Sequence, residues 1–184
     1  PKTAYGWLDE AVMSPARYEL MQALRERDRH GRFRIYSPVT EKGADIYVHA
    51  KLMFVDDLYL RAGSANMNNR SMGLDSECDV LIDGSADPEA QRKIARLRTD
   101  LLAEHLGAKG AEVDACFGES GSLIGCIERM RGRGRTLVPL EPREPNALEK
   151  KLAKSEALDP EAPDELFERR ARPGLLSRLG RRGR

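Results

Sequence analysis

Two runs rich in Val, Ile, Leu, Tyr and Phe, residues 46–55 and 58–62, are separated only by Asp56 and Asp57. Such residues suit a pleated, half-buried surface and Asp suits tight turns, so the pair predicts a strand hairpin. A lone hairpin is marginal in water, so the surrounding chain must cover it. Ahead of it, Ser14 and Pro15 read as N-cap and first position of a helix over residues 15–29, with Leu20, Met21 and Leu24 as its apolar stripe. Phe33, Ile35 and Pro38 then bound a short strand. Beyond the hairpin, the polar run SANMNNRSMGLDSE predicts a loop without regular structure, and residues 78–82 a further strand. Asp87 and Pro88 open a second helix whose Ile94, Leu97, Leu101 and Leu102 share one face, with Arg92, Lys93, Arg96, Arg98 and Glu104 on the others. That helix should lie with one side on the sheet. The expected class is α/β (α+β), a mixed β-sheet flanked by helices.

Past Gly107 the signals weaken to one apolar stretch, residues 123–130, and an irregular strap over 132–146. From Ala147 the composition permits a short helix interrupted by Pro160 and Pro163. The expected organisation is a main unit over 1–130, a strap with a short helix over 131–168, and a basic tail over 169–184, expected to be disordered. The net charge of +1 conceals this tail. Residues 169–184 hold seven arginines and no acid, which leaves 24 basic against 30 acidic residues in the first 168. A polybasic end suits solvent or an anionic partner, whereas an acidic main unit disfavours a polyanion-binding face.

With 40% apolar and 33% charged residues the chain is expected to be globular rather than disordered. No apolar run nears the roughly 18 residues of a membrane span, and PKTAYGWLDE lacks the basic and apolar halves of a secretory signal. Cys78, Cys116 and Cys126 form neither a CxxC nor a His/Cys cluster, so reduced thiols in a cytoplasmic protein are expected, and no metal site.

Across the hairpin, HAKLMFVDDLYLRAGSAN fits H-x-K-x4-D-x6-G-S-x-N, with His49, Lys51, Asp56, Gly63, Ser64 and Asn66 at the fixed positions. Side chains two apart on a strand project from one face about 6 to 7 Å apart, the span of a phosphate group. His49 would serve as nucleophile or proton donor and Lys51 as a point charge for a phosphoryl oxygen. Val48, Ala50, Leu52 and Phe54 would point the other way and pack under the second helix. Ser64 and Asn66 would offer short donors beside Gly63, which permits close backbone approach. No G-x-S-x-G elbow surrounds Ser64, so a serine nucleophile is not expected. His30 and His105 fall at helix ends, where a cation is favourable, and receive no catalytic role.

The motif resembles the signature of the phospholipase D superfamily, the HKD enzymes, most closely in VHAKLMFVDD and GSANMNNRSMGLDSECDV. Residues 6–106, and more loosely to Pro142, resemble the C-terminal catalytic half of bacterial two-motif phospholipase D-like proteins. The resemblance implies a phospholipase D-like half-domain and a two-histidine reaction without metal or cofactor. One histidine attacks the phosphodiester to form a phosphohistidine. The other protonates the leaving alcohol and then activates water or an acceptor alcohol. Catalytic positions carried over are His49, Lys51, Asp56 and Glu77, with Lys51, Ser64 and Asn66 binding the substrate phosphate. Glu77, thirteen positions past Ser64, takes the family's acceptor role and would orient His49. Asp56 is expected to hold the hairpin turn through side-chain hydrogen bonds.

A second H-x-K is absent from the 184 residues, so the chain should supply half an active site. The expectation favoured is the C-terminal piece of a longer chain, because PKTAYGWLDEAV enters a segment that lies mid-domain in two-motif relatives. Family habit then makes His49 the general acid/base. The alternative is a second copy in a dimer. The leading function is hydrolysis or transphosphatidylation of glycerophospholipid, with a phospholipid substrate and a cytoplasmic location allowing peripheral contact with a membrane surface. A cardiolipin synthase-type phosphatidyltransferase, a single-motif dimeric nuclease and an inactive phosphate- or protein-binding domain are the alternatives. Nucleic acid is disfavoured as a partner, and the long loop after Asn66 resembles lipid-acting members.

Overall fold

The computed structural model describes residues 7–132, 134–141 and 143–146. At its centre is the hairpin, β2 (Lys51–Val55) and β3 (Tyr59–Gly63), after α1 (Trp7–Arg27) and β1 (Tyr36–Val39). Asp56 and Asp57 both take positive φ, 51° and 55°, and the Leu58 N–H donates to the Val55 carbonyl at 2.9 Å. That is the primed turn whose twist matches the flanking strands. The ladder runs antiparallel from Lys51 opposite Gly63 to Val55 opposite Tyr59. β3 pairs in turn with β4 (Asp79–Asp83), giving the order β2-β3-β4, while the loop between them holds one short helix, α2 (Asn69–Gly73). Asp87 then caps α3 (Pro88–Leu106) by accepting the Glu89 N–H, and Gly107 ends it at φ 62°. α4 (Gly110–Ser120), α5 (Leu123–Met130) and β5 (Thr136–Pro139) follow, with β5 returning to pair antiparallel with β1.

The principal core lies under the second half of α3, where Ala103 and Leu106 meet Val113 of α4, Ile127 of α5 and Leu137 of β5. Removing these apolar groups from water supplies the main drive for joining the helices to the β1-β5 pair. The three-stranded sheet is attached at its turn instead. Asp57 accepts two hydrogen bonds from Arg98 of α3, at 2.7 and 2.8 Å, across 41 residues of sequence.

The expected mixture of helices and strands is present, and the strands form two separate antiparallel sheets. Several expectations are corrected. α1 starts at Trp7 and runs through Pro15, since the preceding segment is rich in helix formers and an interior proline removes one backbone bond without forbidding continuation. Of its expected stripe only Met21 is buried, and Leu20 and Leu24 are exposed. β2 begins at Lys51, not at residue 46. The polar loop contains α2, nucleated by Asn68, whose side chain caps Ser71 N–H. The strap contains β5, which lies past residue 130 and joins β1. Arg98, expected on a solvent face, is buried, and Leu97 is exposed. Residues 147–184, with the expected short helix and basic tail, lie outside the described residues. Among the described residues no helix is long and apolar enough to cross a membrane.

Candidate active site

The hairpin presents its two ends to different tasks. At the turn it is pinned to α3 by the Asp57–Arg98 pair, and at the open end Lys51 stands opposite Gly63. His49 lies two residues before β2, outside the ladder and exposed. Its position is set by side chains. The Tyr47 ring stacks on the imidazole, centroids 5.8 Å apart at 15°, and Lys51 Nζ lies 2.8 Å from His49 Nε2. An ammonium has donors and no acceptor, so in this contact Nζ donates to Nε2. The two side chains thus meet, although His49 precedes the strand on whose alternation their shared face was expected. On the other side Val48 and Ala50 line a cavity of about 550 Å³ with Ile46, Pro38 and His105, and Phe54 lines a second of about 490 Å³. The expected packing under α3 is therefore partial.

Gly63 closes the opposite side of this end. A Cβ there would collide with the Asp79 carboxylate and lie 2.6 Å from the Cys78 carbonyl oxygen, so the motif glycine is required by the approach of β4. Ser64 is held three ways. Its N–H donates to the Cys78 carbonyl at 3.1 Å, its Oγ accepts from the Cys78 N–H at 3.0 Å, and that Oγ donates to Glu77 Oε2 at 2.5 Å. Hydrogen bonds from Ser64 and then Ser71 hold the Glu77 carboxyl below the usual carboxylate range, so it is ionised at neutral pH. Arg61 pairs with Asp79 at 2.9 Å and braces the same strand ends.

The structure brings His49 and Lys51 into contact, and joins Ser64 to Glu77. It does not bring Glu77 onto His49: the carboxylate is engaged by Ser64 and Ser71, and the imidazole by Lys51 and Tyr47. Asn66 is exposed beyond Ser64. Asp56 contributes its left-handed backbone to the turn, and its carboxylate has no hydrogen-bond partner among the described residues; the side-chain anchor of the turn is Asp57. Sequence reasoning missed Tyr47, Ser71 and the Arg98 anchor. The aromatic two before His49 was the available signal for the first, since same-face spacing on a strand predicts a neighbour. Among the described residues no three His, Cys, Asp or Glu side chains are grouped to hold a metal ion.

The chain is 38% identical over 96 residues to phospholipase D zeta 1 of Arabidopsis thaliana, covering 44% of this chain and 9% of that protein. It is 36% identical over 93 residues to phospholipase D alpha 4 of the same plant, covering 50% and 12%, and 40% identical over 95 residues to its phospholipase D beta 2, covering 47% and 10%. The chain thus spans about a tenth of the length of these curated relatives, which are plant proteins where the sequence resemblance pointed to bacterial ones. No solved structure matches. The phospholipase D family model matches residues 16–138, a span that contains every fixed motif position from His49 to Asn66 as well as Glu77. On that match the chain belongs to the phospholipase D family.

Proposed function

We propose that this chain supplies one HKD motif of a phospholipase D-type phosphodiesterase that hydrolyses or transphosphatidylates glycerophospholipids. The observation that carries the reading is the pairing of Lys51 Nζ with His49 Nε2 at 2.8 Å on the exposed end of the hairpin. An imidazole nitrogen with a cation beside it is suited to exchange a proton or a phosphoryl group while the cation draws the phosphoryl oxygens. In the two-histidine scheme the first histidine bonds to phosphorus as the head-group oxygen leaves, and the second gives that oxygen its proton. The second then takes a proton from water or an acceptor alcohol, whose oxygen displaces the first histidine from phosphorus. His49 is assigned the proton-transfer role, Lys51, Ser64 and Asn66 the phosphate contacts, and Glu77 the support of Ser64.

One histidine cannot fill both roles in an in-line displacement, so a second HKD half is the required partner, in the same longer chain. The apolar side chains left open near the site support this. Met67 and Met72 are 79% and 72% exposed, and Val80, Leu81 and Ile82 of the outer strand β4 are exposed as well. A cytoplasmic protein that meets membrane phospholipid peripherally fits the reading, and the acidic balance of the first 168 residues favours lipid over nucleic acid.

The test uses the complete two-motif protein and the 184-residue chain side by side, with phosphatidylcholine and bis(p-nitrophenyl) phosphate as substrates. His49→Ala in the complete protein should cut choline release by about 10² to 10⁴, and the isolated chain should be inactive as a monomer. An active monomer, or a complete protein indifferent to His49→Ala, refutes the proposal. An active symmetric dimer of the chain refutes the same-chain partner and favours the single-motif nuclease.

A further inference from the structure

Residues 46–50 stop one step short of joining the two sheets. The turn that leads into them is already built: Thr40 N–H donates to the Ala44 carbonyl at 2.8 Å, Ile46 N–H donates to the Pro38 carbonyl at 3.0 Å, and Val39 bridges Asp45 in the antiparallel sense. Continuing that register sets Tyr36 opposite Val48 and Arg34 opposite Ala50 as hydrogen-bonded pairs, with Ile35 opposite His49 between them. β1 has a free edge to receive them. Leu140 N–H donates to the Ile35 carbonyl, and Ser37 faces Val138 in the β1-β5 pair, so the odd-numbered residues of β1 bond to β5. The backbone groups of Tyr36 and Pro38 therefore point to the other side, towards residues 46–50. The Tyr36 and Val48 amides have no hydrogen-bond partner among the described residues. Between the two edges lies the cavity of about 550 Å³, with Ile35, Tyr36 and Pro38 on one wall and Ile46, Val48 and Ala50 on the other.

We propose that residues 46–50 are a zipper that closes onto β1 when a phosphate group enters the His49–Lys51 site. Closure makes one five-stranded sheet in the order β5-β1-β2-β3-β4, with β2 extended back to Ile46 and His49 fixed within it. The open form has a local cause. Pro38 has no N–H, so the rung it shares with Ile46 carries one hydrogen bond instead of two, and the chain beyond it has little to hold it on register.

In the open form the site is satisfied by its own side chains, since Lys51 Nζ donates to His49 Nε2 at 2.8 Å and the Tyr47 ring stacks on the imidazole. A phosphate group that accepts from Lys51 and lies against Nε2 ends that contact and needs the two tips apart. In a continuous strand the two residues share one face with their roots about 6 to 7 Å apart, so phosphate binds the closed form better than the open one and shifts the balance towards it. The choice of phosphate as trigger rests on the proposed phosphodiester chemistry. The pairing with β1 rests on register and edge geometry alone.

The experiment follows amide exchange by NMR in the 184-residue chain, in chloride and in inorganic phosphate at matched ionic strength. Phosphate should shift the His49 ring signals and slow exchange at Tyr36 and Val48 together, by about tenfold where the closed form reaches roughly nine-tenths occupancy. Val48→Pro removes one amide of that rung and places a proline inside the closed sheet, so phosphate should still shift His49 while the gain at Tyr36 falls severalfold. Slow exchange at Leu60, within the β3 ladder, reports that the variant is folded. The proposal is overturned if phosphate shifts His49 and Tyr36 gains no protection, in which case the phosphate site stands without the zipper. Protection of Val48 without Tyr36 also overturns it, because the pairing strand is then not β1, as does a gain at Tyr36 that Val48→Pro leaves unchanged. A His49 ring indifferent to phosphate overturns it together with the phosphodiester reading. Should Val48→Pro fail to fold, the paired response of Tyr36 and Val48 in the parent chain decides alone.

Discussion

Replacing Asp57 by Asn removes one charge and keeps both the side-chain shape and a residue that tolerates positive φ, here 55°. The substitution therefore isolates the charge pair from the turn conformation. Arg98 keeps 10% of its side-chain surface and Asp57 32%, and the two share a bidentate contact at 2.7 and 2.8 Å. Without the carboxylate, the guanidinium stays buried with Nη1 already lacking a partner, and the amide oxygen that Asp57→Asn retains, which can accept one of the two bonds, together with the Phe117 ring, 4.9 Å from the guanidinium carbon, offers partial compensation. Breaking a fully buried pair from one side costs about 3–5 kcal/mol. Because Asp57 is one-third exposed and partly hydrated, the expected loss is about 2–3 kcal/mol, which lowers Tm by roughly 4–12 °C in a chain of this size. Arg98→Met should cost less than Asp57→Asn, since it leaves no buried charge. The double variant should fall close to Arg98→Met alone, with a coupling energy of about 2 kcal/mol in a double-mutant cycle of urea unfolding. A loss below about 0.5 kcal/mol for Asp57→Asn would mean that the pair behaves as a surface contact. The hairpin would then need another anchor.

Two further outcomes concern the site end of the same hairpin. Gly63→Ala places a Cβ against Asp79 and the Cys78 carbonyl, so β4 must shift; thermal unfolding should report a loss of about 1–3 kcal/mol. Unchanged stability would show that the approach of β4 is not tight. Ser64→Ala removes the first of the two hydrogen bonds that depress the Glu77 carboxyl and leaves the Ser71 bond, so NMR titration should find Glu77 moved up towards 4.5 but not fully there. Because the folded value is depressed, the Ser64–Glu77 link is in place at and above the ordinary carboxylate range and is lost as pH falls through that depressed value. A Glu77 midpoint indifferent to Ser64→Ala would remove the link from the account.

The parts of this fold that were legible in the sequence are those whose signals are local. Asp87, Pro88 and Gly107 fix α3 because cap, first-turn proline and left-handed terminator each act within a few residues. The Asp56–Asp57 turn and the motif positions around it were legible for the same reason. What depended on distant partners was not. An arginine on an amphipathic helix reads as solvated, and nothing near Arg98 announces an aspartate 41 residues earlier. α4 escaped notice because its buried side chains are only Val113 and Cys116, too few to print a stripe. The Ser14–Pro15 start was a sound local signal overridden by helix formers upstream. At the site, resemblance brought in Glu77, but which side chain it serves depended on where Ser64 and Ser71 stand.

The missing ladder before β2 leads to a final expectation. Ile46 N–H donates to the Pro38 carbonyl at 3.0 Å, yet the amides of Val48, His49 and Ala50 have no hydrogen-bond partner among the described residues. A β-rich segment with unpaired amides next to a catalytic candidate is an open edge, held here by the Tyr47 ring and Lys51 rather than by backbone. Amide exchange measures this directly. In the isolated chain, Val48, His49 and Ala50 should exchange near the unprotected rate, while ladder amides such as that of Leu60 are slowed by pairing with β2 and β4. In the complete two-motif protein the same three amides should gain protection, because the proposed second half must fix the imidazole to within a fraction of an ångström of its productive place. Protection already present in the isolated chain would show that residues 46–50 need no partner to order them, and would remove the reason for tying the placement of His49 to assembly.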